Sequence, residues 1–550
     1  MNKPPVTNFY PFLLIGIIFL ATALRFFQLG MNPPSLDWDE ASLGYNAYSI
    51  LKTGADEYGN FLPLSIRSFD DYKPPMYVYL TVPSVAVFGL TEFAVRLPAA
   101  IIGVLSVLMT YLLVNEFFVA WRHRKQIALV SAFLLAISPW HLQFSRAAFE
   151  GNVGLFFLIL ALYLFFLGLK KPFFFVLSSL AFVGSLYSYH SFRMIDVFIL
   201  ILLGLLFFNQ LKKVKKWVLI AIVLLVIAGI PIYGSFIRPE GTGARLSMVT
   251  IFSDDSLAER IAKQVESDKK NNDALGEFIH NRRFVYMGAV AKGYLDHFSF
   301  DFLFVHGDTG VQHHAVNMGM LYLWELPFIL LGLFFLRSKI DRRIFVLLFI
   351  FLVAPLPASI TTGTPHPVRA IAMIPAFHIF TAVGFVMFMS IVFQKKQHLR
   401  WVIAAVIVVA LGVNVAYYLR QYYIATPIEY GYFWQYGNKE AIEYAKQHES
   451  EYDSIIMSYR YDQPYVYYLF HNEVDPAWYQ KNWDYSKTGK IDRFFRVIGK
   501  YEFKNIEFSK DSQKRKALLI GTPEEIPETA EVLKEIRFPD GKVAYKIIKT

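Results

Sequence analysis

The stretch that decides the fold is "VRLPAAIIGVLSVLMTYLLVNEFFVAWRHRK", residues 95–125. Residues 95–118 are almost wholly apolar, and a membrane-spanning helix needs about 20 such residues in a row. The basic run "WRHRK" follows at once, and short basic loops mark the cytoplasmic side of a membrane. The stretch therefore predicts a helix that crosses the bilayer and ends in the cytoplasm.

The rest of the chain has a similar composition. Of its 550 residues, 55% are hydrophobic and only 18% are charged, whereas soluble domains are about one quarter charged. Further apolar runs occur at residues 9–29, 217–236, 371–393 and 401–418. They predict a polytopic membrane protein. The first run is too long for a cleaved secretory signal, and we expect it to remain as an anchor.

The charge of the chain does not indicate a nucleic-acid partner. The net charge is +10, but the basic residues cluster in short loops between apolar runs, which is an orientation signal rather than a binding stripe. The chain has no cysteine, so disulfides and thiolate metal sites are excluded. We expect membrane lipids to surround it.

Five basic clusters set the predicted topology. All five are assigned to the cytoplasm, and each interval between them holds two apolar segments; the clusters are residues 121–125, 170–171, 212–216, 337–343 and 395–400. The segment "MYVYLTVPSVAVFGL" is too short to span and contains Pro83, so we place it in the outer interface as a juxtamembrane helix. The prediction is about 11 transmembrane helices, with the N-terminus inside and the C-terminus outside.

This topology places three hydrophilic parts outside: the loops 30–93 and 237–318, and the tail. Residues 1–419 then form a transmembrane domain and residues 420–550 a small extracytoplasmic α/β domain. In the tail, "DSIIMSY", "KALLIG" and "VAYKII" predict strands, "NKEAIEYAKQ" and "PEEIPETAEVLKEI" predict helices, and "PDGK" predicts a hairpin turn.

Three carboxylates follow the first apolar run, in "SLDWDEASLGYNAYSILKTG", residues 35–54. Asp37 and Glu40 have the spacing of a capping box, and Gly54 suits the end of the helix. Asp39 has no such role, because adjacent residues do not share a helix face. The cluster is therefore either a helix start or a catalytic site, in which a partly desolvated carboxylate acts as a general base.

The segment "DDYKPPMYVYL" places Lys73 before two prolines, at the expected start of the juxtamembrane helix. A helix N-terminus that carries a lysine can bind phosphate. The alternative is a lysine that extends along the interface to reach water.

Three arginines lie at predicted outer ends of spans, where the positive-inside rule does not place them. They are Arg146 in "SPWHLQFSRAAFE", Arg193 in "YSYHSFR" and Arg369, with His366, in "TPHPVRA". Any one of them alone could contact a lipid headgroup. Together they indicate an anionic ligand on that face, because guanidinium groups bind phosphate.

These motifs resemble the GT-C membrane glycosyltransferases, and within them the protein O-mannosyltransferase and aminoarabinose transferase group. The resemblance runs in order over about residues 10–400 and rests on "WDEASLGYNA", "YKPPMYVYL", "FAVRLPAAIIGVLSVL", "SPWHLQFSRAAFE", "YSYHSFR" and "TPHPVRAIAMIP". It implies a GT-C-type fold and an inverting transfer of one sugar from a polyprenyl-phosphate donor, on the outer face of the cytoplasmic membrane.

The resemblance also implies roles for residues. Asp39 would be the catalytic carboxylate, Glu40 would help to arrange the site, and Lys73 would contact the carrier phosphate. Our candidates for further phosphate or sugar contacts, placed by topology, are Arg146, Arg193, His366 and Arg369. The acceptor could be a glycan, a lipid or a protein, although no insert like that of the eukaryotic protein mannosyltransferases supports a protein acceptor.

The second outer loop ends in "FVHGDTGVQHHAVNMG", residues 304–319, which contains His306, Asp308, His313 and His314. Imidazole and carboxylate ligands suit zinc or manganese, so a divalent metal site is one interpretation. The irregular spacing favours instead a mobile cover over the donor pocket that pivots at its glycines. The resemblance implies a transferase that is metal-independent or only weakly linked to a metal, so we expect no required cofactor.

Two other functions fit the same composition. One is a transporter or flippase of lipid-linked sugars, and the other is a non-catalytic protein of envelope assembly. The apolar runs carry few ionisable residues, which argues against a transport path, because such paths are marked by charges inside the membrane.

Overall fold

The structure is a computed structural model, and it describes residues 9–69, 71–237, 243, 249–482 and 495–550. The predicted outer loop 237–318 is therefore described mainly from residue 249 onward.

The described residues are mostly helical. Those up to residue 237 form the helices α1 (Tyr10–Phe26), α2 (Trp38–Thr53), α3 (Met76–Phe88), α4 (Glu92–Phe117), α5 (Arg124–Ile137), α6 (Pro139–Phe144), α7 (Glu150–Gly168), α8 (Phe174–Leu186), α9 (His190–Leu206), α10 (Phe208–Leu211) and α11 (Lys215–Ile237). The predicted juxtamembrane helix is present as α3. Its 13 residues are fewer than the roughly 20 that a span needs.

The remaining helices are shorter on average. They are α12 (Asp255–Lys270), α13 (Ala274–Ile279), α14 (Arg282–Asp296), α15 (Glu325–Leu336), α16 (Arg342–Val353), α17 (Leu356–Ser359), α18 (Ile374–Val392), α19 (Gln397–Arg420), α20 (Thr426–Glu429), α21 (Asn438–Gln447), α22 (Pro464–His471), α23 (Pro476–Asn482) and α24 (Phe508–Asp511).

In the part of the chain that the structure describes, six helical segments are long and apolar enough to cross a membrane: Glu92–Phe117, Glu150–Gly168, Phe208–Ser235, Arg342–Ser359, Ile371–Val392 and Gln397–Glu429. Four shorter apolar helices accompany them: Tyr10–Phe26, Met76–Phe88, Phe174–Leu186 and Glu325–Leu336. The predicted helical membrane architecture is confirmed at this level. The number of 11 transmembrane helices stays a prediction.

The chain divides into two compact units. The first takes the described residues within Met1–Phe27, Ala100–Ser145 and Phe149–Tyr418, and the second takes those within Gln28–Ala99, Arg146–Ala148 and Leu419–Thr550. The second unit thus unites the predicted first outer loop with the tail.

In the first unit, one carboxylate connects several basic clusters. Glu116, near the end of α4, contacts the Lys170 ammonium at 2.7 Å and the Arg343 guanidinium at 3.1 Å. The Lys339 ammonium lies 4.8 Å from the centre of the Trp121 ring. These contacts join residues of three of the five basic clusters, whose cytoplasmic location stays a prediction.

Close packing of α15 and α18 forms part of the core of this unit. A Cβ atom on Gly332 would lie 2.0 Å from the Phe380 carbonyl oxygen, and one on Gly384 would lie 2.0 Å from the Phe328 carbonyl oxygen. Only glycine permits this approach. Small residues at helix interfaces are typical of membrane proteins, where tight van der Waals packing holds helices together.

The second unit contains two sheets. A hairpin consists of β1 (Ile66–Ser68) and β2 (Asp71–Lys73), and a six-stranded sheet consists of β3 (Ser454–Met457), β4 (Arg496–Ile498), β5 (Tyr501–Phe503), β6 (Ala517–Gly521), β7 (Val532–Arg537) and β8 (Val543–Lys549). The strand order is β4-β5-β3-β6-β8-β7. Strand β3 pairs in parallel with β5 and β6, and the other pairs are antiparallel.

Most of the predicted elements of the tail are confirmed: β3, β6, β8 and α21 cover the segments assigned to them, and Phe538 and Lys542 close the predicted hairpin turn with a backbone hydrogen bond of 2.8 Å. The helix predicted over residues 523–536 is wrong, because its second half forms β7. Helix-forming residue types there are overridden by pairing with β8, in which Val532 lies opposite Ile548.

Candidate active site

The start of α2 has the predicted capping box. The Asp37 carboxylate accepts the Glu40 N–H at 2.8 Å, and the Glu40 carboxylate accepts the Asp37 N–H at 3.4 Å. At the other end, Gly54 adopts a φ of 73°, which ends the helix in the left-handed region. Local sequence thus explains two of the three acids.

Glu40 is buried and fully occupied. Its Oε1 accepts the Arg96 Nε–H at 2.9 Å and the Ala148 N–H at 2.9 Å, and its Oε2 accepts an Arg96 Nη2–H at 2.8 Å. A carboxylate that accepts so many hydrogen bonds while only 2% exposed is a fixed anchor. The catalytic pair Asp39 and Glu40 stays a prediction, and these contacts fit the arranging role that the resemblance implies for Glu40.

Sequence reasoning missed the role of Arg96. Beyond Glu40, its guanidinium donates to three backbone carbonyl oxygens, those of Leu29 at 3.3 Å, Pro33 at 2.8 Å and Ser35 at 2.5 Å. All five N–H groups of the side chain therefore have acceptors. The available signal was an arginine inside an apolar run, which is costly unless it is paired.

Asp39 differs from its neighbour. Its side chain is 48% exposed, and its Oδ1 lies 2.5 Å from the Lys73 ammonium, whose side chain is 5% exposed. The structure thus brings together the two residues that the resemblance made the base and the phosphate contact. The open face of Asp39 remains accessible to a substrate.

The prediction that Lys73 lies at the start of the juxtamembrane helix is wrong. Lys73 ends strand β2, opposite Ile66 of β1, and α3 begins only at Met76. The reason is local, because a residue that precedes proline is pushed to an extended backbone, and here Pro74 follows. Lys73 therefore reaches Asp39 from a hairpin.

Asp37 lies in the same acidic cluster. Burial raises the pKa of its carboxyl well above the usual range, and the Glu40 and Asp39 carboxylates raise it further. Burial is thus the main reason that the Asp37 carboxyl binds a proton more readily than an ordinary aspartate does.

Arg146 lies in the second unit with Asp39, but its interactions are with the protein. The residue is 1% exposed, and its guanidinium donates to the Tyr422 hydroxyl and to the Asn32 carbonyl oxygen, both at 3.1 Å. The guanidinium carbon also lies 5.1 Å from the centre of the Tyr423 ring. This environment favours a structural role for Arg146.

Arg193 and Arg369 lie in the first unit and line one cavity of about 630 Å³. Its walls are apolar side chains of α9 and α11, among them Val197 and Val226. Arg193 donates to the Leu186 carbonyl oxygen at 3.2 Å. The two guanidinium groups therefore form the cationic part of an otherwise apolar cavity.

His366 lies three residues before Arg369, and its surroundings favour the neutral imidazole. Burial lowers the pKa of its imidazole well below the usual range, and the positive charge of Arg369 adds to this effect. Its Nδ1 accepts the Arg369 backbone N–H at 3.5 Å. In neutral solution His366 can offer only a neutral hydrogen bond.

The histidines of residues 304–319 do not form one cluster. Asp308 contacts the His313 Nδ1 at 2.6 Å and accepts from the His314 Nε2 at its carbonyl oxygen at 2.9 Å, whereas His306 pairs with Asp301 at 2.6 Å. Within the described ranges, no group of three His, Asp or Glu side chains could hold a metal ion. The mobile cover stays a prediction.

Comparison with known proteins finds one family match over part of the chain and a similar fold. Residues 72–233 match the family described as "Dolichyl-phosphate-mannose-protein mannosyltransferase". This segment contains Lys73, Arg96, Arg146 and Arg193, whereas Asp39 precedes it.

Two solved structures and one curated protein are similar to the chain. ArnT from Cupriavidus metallidurans bound to undecaprenyl phosphate is 12% identical, with a TM-score of 0.53, over 99% of this chain and 98% of that one. The chain therefore shares the fold of that protein. The Archaeoglobus fulgidus oligosaccharyltransferase is 15% identical, with a TM-score of 0.49, over 86% of this chain and 63% of that one.

The curated protein is "Putative mannosyltransferase YkcB" of Bacillus subtilis (strain 168), which is 33% identical over 99 residues. Those residues are 18% of this chain and 13% of that protein, so the chain spans a small part of its length. The family match and the fold shared with ArnT confirm the predicted resemblance.

Proposed function

We propose that this chain is an inverting glycosyltransferase that moves a single sugar from a polyprenyl-phosphate donor to an acceptor on the outer face of the cytoplasmic membrane. The observation that carries the proposal is the contrast between two adjacent acids. Asp39 is half-exposed beside Lys73, and Glu40 is buried and anchored. The family match and the fold of a protein bound to undecaprenyl phosphate support the donor class.

In this proposal, Asp39 is the general base. The acceptor hydroxyl gives its proton to the Asp39 carboxylate, and its oxygen attacks the anomeric carbon of the donor while the carrier phosphate leaves. One displacement inverts the configuration at that carbon. Positive charge stabilises the phosphate as it leaves, and Lys73 supplies it from the strand that ends beside Asp39.

The cavity of the first unit is considered by itself. Its apolar walls suit an isoprenoid chain, and the guanidinium groups of Arg193 and Arg369 suit an anionic headgroup. His366 offers a neutral hydrogen bond beside Arg369. We do not include Arg146 among the donor contacts, because it is only 1% exposed, whereas Arg193 and Arg369 line a cavity. The acceptor class stays open between glycan, lipid and protein.

The test is the Asp39→Asn variant in liposomes with a radiolabelled polyprenyl-phosphate sugar. We expect transfer to fall by about 10² to 10⁴-fold, the usual contribution of a general base, with carrier binding retained. Asp255→Asn is the matched control, because Asp255 is also an exposed acid in the first turn of a helix. Unchanged transfer by Asp39→Asn would remove Asp39 from the mechanism.

A further inference from the structure

The tail of the chain packs along α2, the helix that carries Asp39. The Trp38 ring lies 5.7 Å from the Phe433 ring, and a Cβ atom on Gly44 would lie 2.7 Å from the Phe470 ring. The helix thus contacts the tail near its start and at its middle.

The side-chain amide of Gln480, in the tail, contacts the C-terminal end of α2. The Gln480 side-chain nitrogen donates to the Ser49 hydroxyl at 3.1 Å, to the Thr53 hydroxyl at 3.1 Å and to the Asp56 carbonyl oxygen at 2.8 Å. These contacts lie more than two helical turns from Asp39. They stabilise the helix without reaching its N-terminal turn.

At the near end, one hydroxyl of the tail reaches the backbone just before the helix. Tyr467, on α22, is completely buried, and its hydroxyl donates to the Leu36 carbonyl oxygen at 3.1 Å. Leu36 directly precedes Asp37, the capping residue of α2. The preceding carbonyl, that of Ser35, accepts from Arg96 at 2.5 Å. Two successive peptide units are therefore fixed from two different elements.

The hydroxyl is held in its donor form. Burial raises the pKa of Tyr467 well above its usual range, and the carboxylates of Asp37, Glu40 and Asp39 raise it further. A tyrosine that stays neutral beside three acids can keep donating to the Leu36 carbonyl oxygen. Its contact therefore persists in any protonation state of the acids.

We propose that Tyr467 is a positioning residue, through which the C-terminal part of the chain sets the direction in which α2 begins and so the place of the Asp39 carboxylate. The proposal rests on the proposed function. It gives the tail a role in the reaction, acting through the Leu36 backbone and without contact to the substrate.

The expected size of the effect separates positioning from stability. Loss of one hydroxyl hydrogen bond lowers the folding stability only modestly, whereas a displacement of about 1 Å at a reacting group can cost about 10²-fold in rate. Removal of the hydroxyl should therefore lower kcat by a large factor and shift the melting temperature only slightly.

The experiment compares Tyr467→Phe with Gln480→Met, which removes three hydrogen bonds from the other end of the same helix. We expect Tyr467→Phe to lower kcat about 10-fold or more at unchanged KM for the donor, and Gln480→Met to leave kcat unchanged per folded protein. In an Asp39→Asn background, Tyr467→Phe should cause no further loss, because it acts through Asp39.

A second readout does not need activity. Hydrogen exchange of the amides of residues 37–41 should be faster in Tyr467→Phe and unchanged in Gln480→Met. If the wild type transfers no sugar, the proposed function fails while this exchange still decides the positioning role. Equal exchange in both variants, or a kcat within twofold of wild type for Tyr467→Phe, would overturn the proposal.

Discussion

The first and second units each bury an acid beside a base, but only one of these regions leaves a carboxylate open. In the first unit, Glu325 is fully buried, and its carboxylate meets the His378 Nδ1 at 3.1 Å, the Thr381 hydroxyl at 3.2 Å and the Tyr322 N–H at 3.2 Å. In the second unit, the buried Glu40–Arg96 pair lies directly beside the half-exposed Asp39. A buried acid–base contact therefore serves packing in the first unit, whereas in the second unit a similar contact lies beside an acid that is accessible.

The helices of the first unit correct the expectation that the apolar runs carry few ionisable residues. They bury more ionisable residues than the composition suggested, including Arg25, which donates to His141 at 2.7 Å and to the Ala136 carbonyl oxygen at 3.1 Å. Charges inside a membrane protein can mark a transport path. Here Arg25 and Glu325 each have protein partners, which favours a packing role over the transporter alternative.

The largest effect should come from breaking the buried pair of the second unit. Arg96→Met leaves Glu40 buried without its guanidinium, which should cost about 3 to 5 kcal/mol of folding stability. The measurement is thermal unfolding in detergent. Lys439→Met is the matched control. It also breaks an ion pair of the second unit, the one with Glu92, but the Lys439 side chain is 49% exposed.

The double variant Glu40→Gln with Arg96→Met should lose less than the sum of the single changes, since the two residues interact directly. An Arg96→Met protein as stable as the Lys439→Met control would show that the buried pair does not hold the site together.

An intermediate effect should come from the first unit. Glu325→Gln keeps an acceptor for Thr381 but removes the charge that faces His378, which should lower the stability by about 1 to 3 kcal/mol. Transfer per folded protein should stay unchanged, in contrast to Asp39→Asn. A loss of transfer greater than the loss of folded protein would contradict the packing role of this region.

The smallest effect should be a change in how stability depends on pH. Asp37 has a raised pKa in the folded state, so its contribution to stability is fully present below the ordinary aspartate pKa of about 4 and is lost as the pH rises through the folded pKa. Asp37→Asn keeps a capping side chain and removes the titration.

The melting temperature of Asp37→Asn should therefore depend less on pH than that of the wild type, and it should be higher at neutral pH. Melting curves between pH 4 and 8 measure the difference. Parallel curves for the two proteins would show that the acidic cluster does not strain the folded state.

Local patterns predicted the elements near the site well. The capping spacing predicted the start of α2, Gly54 predicted its end, and apolar runs predicted three of the six strands described in the tail, namely β3, β6 and β8. The errors have a common cause. Strand β7 and the hairpin position of Lys73 depend on pairing with another strand, and that energy is not visible in a short window of sequence.

The sequence by itself determined the apolar helices, the basic loops between them and the capped helix that carries three acids. Only the tertiary structure decided which of two adjacent acids is open to a substrate. The partners that bury Glu40 are the side chain of Arg96 and the backbone of Ala148, which lie 56 and 108 residues further along the chain. Burial and hydrogen bonding fix the role of a carboxylate, and here both come from distant segments.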